Sequence, residues 1–387
     1  MEEWKEYKLE ETTDFIAGYA FKSKDFGSYE NKVVKIKDIQ PPFVSIASID
    51  GVNIHEYDIS KLAKYLVYKN DFLLAMTGAT IGKIGRYIYD KPVYLNQRVL
   101  KFMPKVGFDS DFIYYSLISD SFQKFIINHI DSDSAQPNIS ANTIGKYRLY
   151  IPDITIQKKI SHALKVLDSK IELNRRINDN LEQQAQALFK SWFVDFEPFK
   201  NGKFVESEMG MIPEGWKVGK FSELVEIKYG KDHKSLAPGH IPVYGSGGFM
   251  RFAEKSIYNK ESVLIPRKGS LNNILYVNHP FWTVDTMFYT IMKEDGLAKF
   301  VYLFIKPFDL LSMNSGSAVP SMTADILNNI KLVIPPKSVF IEFENLIKPL
   351  FIKQGQIKGE IDKISLLRDT MLPRLMSGEL KINDLNC

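Results

Sequence analysis

The chain of 387 residues repeats itself, and that constrains its fold more than any other feature. Glu2-Glu3-Trp4-Lys5-Glu6-Tyr7-Lys8-Leu9-Glu10-Glu11 aligns with Glu214-Gly215-Trp216-Lys217-Val218-Gly219-Lys220-Phe221-Ser222-Glu223 at an offset of 212, which places Gly18 on Gly230. Further on, Ser134-Ala135-Gln136-Pro137 aligns with Ser317-Ala318-Val319-Pro320, Ala141 with Ala324, and Ile151-Pro152 with Ile334-Pro335, at an offset of 183. The difference, 29 residues, is a net deletion inside the second copy. Matching ends around a divergent middle predict one scaffold carrying two different surfaces.

The expected order is strand-rich domain, long helix, strand-rich domain, long helix, with boundaries at 1–152, 153–202, 203–335 and 336–380 and a tail at 381–387. Lys32–Ile36, Pro42–Ile46, Ser262–Ile265 and Phe288–Met292 are β-branched or alternating runs closely punctuated by Gly and Pro, as strands are. Gly245-Ser246-Gly247-Gly248 is too glycine-dense for the interior of either element and reads as a turn. In the first helix Ile160, Leu167, Asn174, Leu181, Leu188 and Leu164, Ile171, Asn178, Ala185, Trp192 recur with heptad spacing, and eight of the ten are apolar. In the second, Phe343, Leu350, Ile357, Ile364, Met371 and Ile347, Gln354, Ile361, Arg368, Leu375 give the same eight in ten. Two such seams in a repeat predict an antiparallel coiled coil, with Asn174 and Asn178 as register-fixing interruptions. Two amphipathic helices, each packed on its own domain, are the alternative. Pro349 predicts a kink and Pro373 a stop. The seam from 160 to 192 is about 48 Å long, the length of about 14 base pairs if the strand-rich domains bind duplex nucleic acid. Trp192 is expected in the core, and Phe193 in packing against a domain or a partner.

Chemistry is sought and not found. The six histidines, at 55, 129, 162, 233, 240 and 279, have no Cys or carboxylate at metal-ligand spacing. No Gly-x-Ser-x-Gly elbow occurs. Gly78-Ala79-Thr80-Ile81-Gly82-Lys83 has one residue too few for a phosphate loop, and Ile84 stands where Ser or Thr should hold magnesium. Gln40-Pro41-Pro42-Phe43 and Ile334-Pro335-Pro336-Lys337 are not the Asn/Asp-Pro-Pro-Tyr/Phe motif of amino-methyltransferases, and no dinucleotide-type glycine motif occurs. The net charge of +4 is spread thinly, and residues 1–152 balance at 19 basic and 19 acidic. That is modest for a lone duplex binder, so charge argues only weakly for nucleic acid, and any affinity for it is expected to be shared with partner subunits. The single cysteine, Cys387, excludes an internal disulfide. No apolar run is long enough to span a bilayer, and the first residues lack a signal peptide's pattern, so a cytoplasmic location is expected.

Ile171-Glu172-Leu173-Asn174-Arg175-Arg176-Ile177-Asn178 and Ala187-Leu188-Phe189-Lys190-Ser191-Trp192-Phe193-Val194-Asp195-Phe196 closely resemble the central helix of type I restriction–modification specificity subunits. Gly210-Met211-Ile212-Pro213-Glu214-Gly215-Trp216 is similar to the start of that family's second target-recognition domain, and Leu372–Leu380 to its C-terminal signature. Thr77–Gly82 and Gln136-Pro137-Asn138-Ile139-Ser140 resemble recurring marks inside the recognition domains. The second domain departs, with Arg267-Lys268-Gly269-Ser270 in place of Thr-Gly-x-Thr.

The resemblance implies an α+β fold in which two strand-rich target-recognition domains are separated by two long antiparallel helices, a pseudo-twofold internal repeat. It implies double-stranded DNA as ligand, two methylation subunits as partners and, in restricting systems, translocase–nuclease subunits. S-adenosylmethionine, ATP and magnesium belong on those partners, with no cofactor bound by this chain. Leu167, Ile171, Asn174, Asn178, Leu181, Leu188, Trp192, Phe193, Ile357, Ile361, Ile364 and Leu375 are the candidate packing and docking set.

The candidate DNA-reading residues are Thr77, Gly78, Thr80, Lys83, Arg86, Asn96, Gln97 and Arg98 in the first domain, and Tyr244, Ser246, Gly247, Gly248, Arg251, Arg267, Lys268 and Ser270 in the second. Glycines let a backbone approach a phosphate closely, while Arg and Gln or Asn make paired hydrogen bonds to guanine and adenine edges. A plain tight turn competes with this reading at Gly78, and a buried structural amide at Gln97. Lysines 22, 24, 32, 35 and 37 are candidates for phosphate contact or for plain solvated surface. Two rivals remain open at this point: an enzyme with an unrecognised active site, such as a DNA-modifying or DNA-cleaving enzyme, and a structural coiled-coil protein.

Overall fold

The computed structural model describes residues 4–47, 49–130, 137–313 and 321–382. Glu2, Glu3, Ser134–Gln136, Ser317–Pro320 and Cys387, named above, lie outside the described residues. The chain divides into two compact units, residues 1–173 with 361–387, and 174–360. Each therefore contains one strand-rich domain and half of each long helix.

In the first unit a six-stranded sheet runs in the order Thr13–Ala17, Val99–Pro104, Phe72–Ala75, Ile84–Arg86, Phe43–Val44, Ile39–Gln40. A four-stranded sheet runs Asp50–Val52, Phe26–Val34, Val93–Leu95, Leu66–Val67. The second unit has a four-stranded sheet, Val225–Tyr229, Met287–Met292, Ser262–Pro266, Leu275–Val277, and a three-stranded one, Gly248–Ala253, Ile241–Gly245, Trp282–Thr283. Of the four expected strands, the pair in the second domain form as read. Lys32–Ile36 ends early at Val34, because the Asp38 carboxylate accepts the Lys35 amide at 2.8 Å and turns the chain. Pro42–Ile46 shortens to Phe43–Val44.

The repeat is a repeat of structure. Lys5 lies opposite Ile151, and Lys217 opposite Ile334, so both sequence offsets meet in one strand pair. Gly18 and Gly230 explain their own match. A Cβ on Gly18 would stand 2.0 Å from the Asn96 carbonyl oxygen, and one on Gly230 2.0 Å from that of Val284. Only glycine tolerates such an approach. The Asn96 amide donates to Val34 O and the Val284 amide to Tyr244 O, both at 3.0 Å, which equates Val34 with Tyr244. Val99 faces Ala75 as Met287 faces Pro266. From Val34 to Ala75 is 41 positions and from Tyr244 to Pro266 is 22, so 19 of the 29 missing residues fall in this stretch.

The long helices span Ile154–Phe193 and Lys337–Met376, 40 residues each. The first starts where Asp153 accepts the Thr155 amide at 2.8 Å. The second ends at Ser377-Gly378, with Gly378 at φ 74°. Pro373 does not stop it: the helix continues to Met376, and the Pro373 carbonyl accepts the Ser377 amide at 3.0 Å. All twenty seam positions are buried or half-buried. In the first unit Ile160 and Leu164 share a core with Leu372 and Leu375, and in the second Ala185 and Phe189 share one with Phe343 and Ile347. Early residues of one helix thus meet late residues of the other, so the pair is antiparallel within each unit. Asp168 accepts from Arg368 at 2.8 Å, and Gln354 donates to Glu182 at 3.2 Å. No described helix is long and apolar enough to cross a membrane.

Candidate functional site

In the first unit Thr77–Gly82 turns the chain between Phe72–Ala75 and Ile84–Arg86. Gly78 and Gly82 have φ of 73° and 81°, a region other residues enter only with strain. The turn closes on itself through Ile81 N to Gly78 O at 3.1 Å and Gly82 N to Ala75 O at 2.9 Å. It is clipped to a second turn, Asn96-Gln97-Arg98, by Met76 N to Arg98 O at 2.9 Å, and to Pro137 by Gly78 N at 3.1 Å. Arg98 itself has φ 70°. The Oγ1 atoms of Thr77 and Thr80 are buried without a hydrogen-bond partner among the described residues. A buried hydroxyl left so costs about 1–3 kcal/mol, which a ligand can recover. Lys83, Gln97 and Arg98 are exposed, so Gln97 is not the buried amide that competed with the reading role; the Asn96 side chain accepts its backbone amide at 2.9 Å.

Arg86 is placed differently. Its guanidinium donates to Asp111 and lies 4.2 Å from the Tyr114 ring centroid. Lys165 reaches the same carboxylate at 2.7 Å. Burial opposes ionisation of Asp111, yet Arg86 and Lys165 together hold its carboxyl below the usual range. Burial pushes the Tyr114 phenol up to about 12. This arginine stitches a sheet to a helix.

The second unit rebuilds the same frame from other residues. Arg267-Lys268-Gly269-Ser270 follows Ser262–Pro266, and Gly269 has φ 80°. Arg267 N donates to Thr286 O at 2.8 Å, as Met76 N does to Arg98 O. Met322 N donates to Arg267 O at 2.9 Å, as Ile139 N does to Met76 O at 3.0 Å. The departure from Thr-Gly-x-Thr therefore changes side chains and keeps the backbone. A third turn joins it: a Cβ on Gly269 would lie 2.7 Å from Ser246 Oγ, and Asn273 donates to Ser246 O at 2.9 Å. Ser246, Gly247 and Gly248 line an open cleft with Asp232, His233, Lys234, Asp285 and Thr286. Lys268, Ser270 and Gly247 are exposed. Arg267 keeps its guanidinium 5.2 Å from the Tyr229 ring centroid.

Tyr244 is buried and joins an apolar cluster with Leu264 and Phe281. Arg251 donates to His233 Nδ1 at 3.1 Å and to the carbonyls of His233 and Leu236, holding that loop. Asp232–Lys234 and Asp285-Thr286, which line the same cleft, stand in no motif of the sequence. The signal for the latter is positional, since Thr286 occupies the place of Arg98 in the repeated frame. Phe193 is buried against Phe343 and Phe300, centroids 4.7 and 4.9 Å away, so it packs within its own unit. Trp192 is the more exposed of the two aromatics. Among the described residues no three His, Cys, Asp or Glu side chains gather where they could hold a metal.

Residues 1–183 and 213–345 match the family model described as the type I restriction modification DNA specificity domain. Among curated proteins the chain is similar to the type I restriction enzyme MjaIX specificity subunit of Methanocaldococcus jannaschii, 26% identical over 362 residues covering 86% of this chain and 83% of that one. It is also similar to the HindI specificity subunit of Haemophilus influenzae, 24% identical over 98% of this chain and 100% of that one. Among solved structures it resembles the S subunit of a type I restriction–modification system from M. genitalium, with a TM-score of 0.55, 18% identity, and coverage of 97% and 96%. That last likeness concerns the fold alone.

Proposed function

The chain belongs to the type I restriction–modification DNA specificity family, and from that premise we propose that its two units each read one half of a two-part duplex target. The carrying observation is the duplicated frame. Two backbone-clipped turns recur, with Thr77, Thr80, Gln97 and Arg98 in one unit and Lys268, Ser270, Asp285 and Thr286 in the other. An invariant backbone supports phosphate contacts that set register, and different side chains on it read different bases. The two orphaned threonine hydroxyls add donors and acceptors that a groove edge or phosphate satisfies. Arg86, Tyr244 and Arg251 support the loops and leave reading to their neighbours.

On this reading the chain performs no bond chemistry. Two methylation subunits dock along the helices and carry S-adenosylmethionine; restriction–translocation subunits, where the system has them, carry ATP and magnesium. All work in the cytosol. A near-neutral reader depends on these partners for much of its hold on phosphate.

The test is selection from random duplexes by the chain assembled with its methylation subunits. Two short fixed sequences separated by an unread spacer support the proposal. No selective retention refutes it and favours a structural coiled-coil protein. Methylation or cleavage by the chain alone favours the hidden enzyme.

A further inference from the structure

Strand Gly248–Ala253 is the outer strand of the second unit's three-stranded sheet, and it is dressed with exposed apolar side chains. Phe249 is 54% exposed, Met250 49% and Phe252 53%. Pairing with Ile241–Gly245 shows why they cluster. Phe252 faces Pro242 and Arg251 faces Val243, but Phe249 faces Tyr244, leaving Met250 as an extra residue. Such a bulge resets the alternation of faces. Phe249 and Phe252 therefore meet, with ring centroids 4.9 Å apart, while Arg251 turns to the His233–Leu236 loop. A bare aromatic edge invites aggregation and is retained where something covers it.

Position and charge say what covers this one. The hairpin's other feature is the Gly245–Gly248 turn, and Phe249 and Met250 line the same cleft as Ser246 and Lys234. Lys231, Lys234 and Lys268 are exposed at neighbouring positions of these loops. Asp232 and Asp285 line the cleft as well, so the lysines stand at its margins and the apolar rings are its distinguishing feature, which suits a ligand with a stacked, apolar interior and an anionic border. In the first unit the corresponding outer strand is Asp50–Val52, where Gly51 and Val52 are buried and Asp50 lies 2.9 and 3.2 Å from the ammonium groups of Lys35 and Lys37.

Resting on the DNA-reading function above, we propose that Phe249 and Phe252 form a wedge that enters the base stack in the half-site read by the second unit, unstacking one step and kinking the duplex there. Apolar side chains inserted between base pairs act in this way in minor-groove binders. The wedge selects a pyrimidine–purine step, where unstacking is least unfavourable. The two halves are thus read by different physics: hydrogen bonding and charge in the first, deformation added in the second.

The test uses the chain with its methylation subunits on the selected duplex, with 2-aminopurine placed at successive positions. Wedging predicts a severalfold fluorescence rise at one step of the second unit's half-site, apart from the base extruded for methylation. Phe249→Ala with Phe252→Ala removes that rise, relaxes the preference for the step and weakens retention about tenfold. Phe249→Leu keeps the rise. Extrusion of the methylated base, the first half-site's selectivity and the melting temperature stay unchanged, since both rings are exposed. Selective retention with no rise overturns the wedge and leaves the reading function intact, the rings then touching a thymine methyl. A rise that survives the double substitution also overturns it. Absence of any selective retention overturns the reading function on which the wedge rests.

Discussion

Replacing Lys299 by methionine tests how the second unit holds its helix half. Lys299 Nζ lies 2.7 Å from Glu344 Oε1 and 3.1 Å from Glu261 Oε1, and its side chain is 6% exposed against 18% and 37% for the two carboxylates. The Tyr276 hydroxyl donates to the same Glu261 oxygen at 2.7 Å. Methionine keeps the stem between the rings of Tyr276 and Phe351 and removes the charge. At 2.7 Å and an effective dielectric near 20 the lost attraction to Glu344 is about 6 kcal/mol. Glu261 rehydrates, but Glu344 Oε2 is already buried without a partner among the described residues. A stranded buried carboxylate therefore dominates, and the expected loss is about 3–5 kcal/mol at pH 8.

The pH dependence has a definite sign. Burial pushes Glu344 above the usual carboxylate range, against the downward pull of the Lys299 hydrogen bond and charge. For an acid raised in the fold, the stabilising contribution is present below the unfolded value and is lost as pH rises through the folded one. Removing Lys299 raises Glu344 further, so the deficit of Lys299→Met shrinks from pH 8 to pH 5 as Glu344 protonates. Native-state hydrogen exchange at Ala298–Ile305 reads this in the second unit alone. A second change, Glu344→Leu, restores most of the loss. A deficit below about 1 kcal/mol, or one equal at both pH values, refutes the reasoning.

Gly18→Ala and Gly230→Ala each push a Cβ to 2.0 Å from a carbonyl oxygen, so each lowers the stability of its own unit by about 3 kcal/mol or more in urea unfolding. Thr77→Val removes a partnerless buried hydroxyl at equal volume, leaving thermal stability unchanged or raised by about 1 kcal/mol. The same substitution weakens selectivity at the first half-site about tenfold without touching the second, read by selection. Asn174→Leu replaces a seam residue that is 2% exposed and whose Nδ2 lacks a partner among the described residues, and raises the melting temperature through about 1–2 kcal/mol. A fall instead means that this amide is satisfied in solution.

The scaffold was readable because its determinants are local or repeated. Gly18 and Gly230 announced a shared close approach, and the heptads announced which helix residues turn inward. The seam assignment holds even at Asn174, Gln354 and Arg368, where polarity alone points outward. Side-chain fates were less readable, because they depend on partners remote in sequence. Arg86 looks like a reader until Asp111, whose other oxygen Lys165 holds, pairs with it. Arg251 looks the same until the His233–Leu236 loop folds over it. The bulge at Met250 shifts side-chain faces by one residue, which no alternation rule foresees. Pro373 falls inside the last turn, and the helix ends instead where Gly378 takes φ 74°.

The central claim is that one frame, built twice, reads two sequences independently. Exchanging residues 209–335 for the same region of a family relative with a different target tests it most directly, with selection of the target before and after. One half of the target is expected to change to the relative's while the other half stays intact. A change in both halves, or in neither, contradicts it.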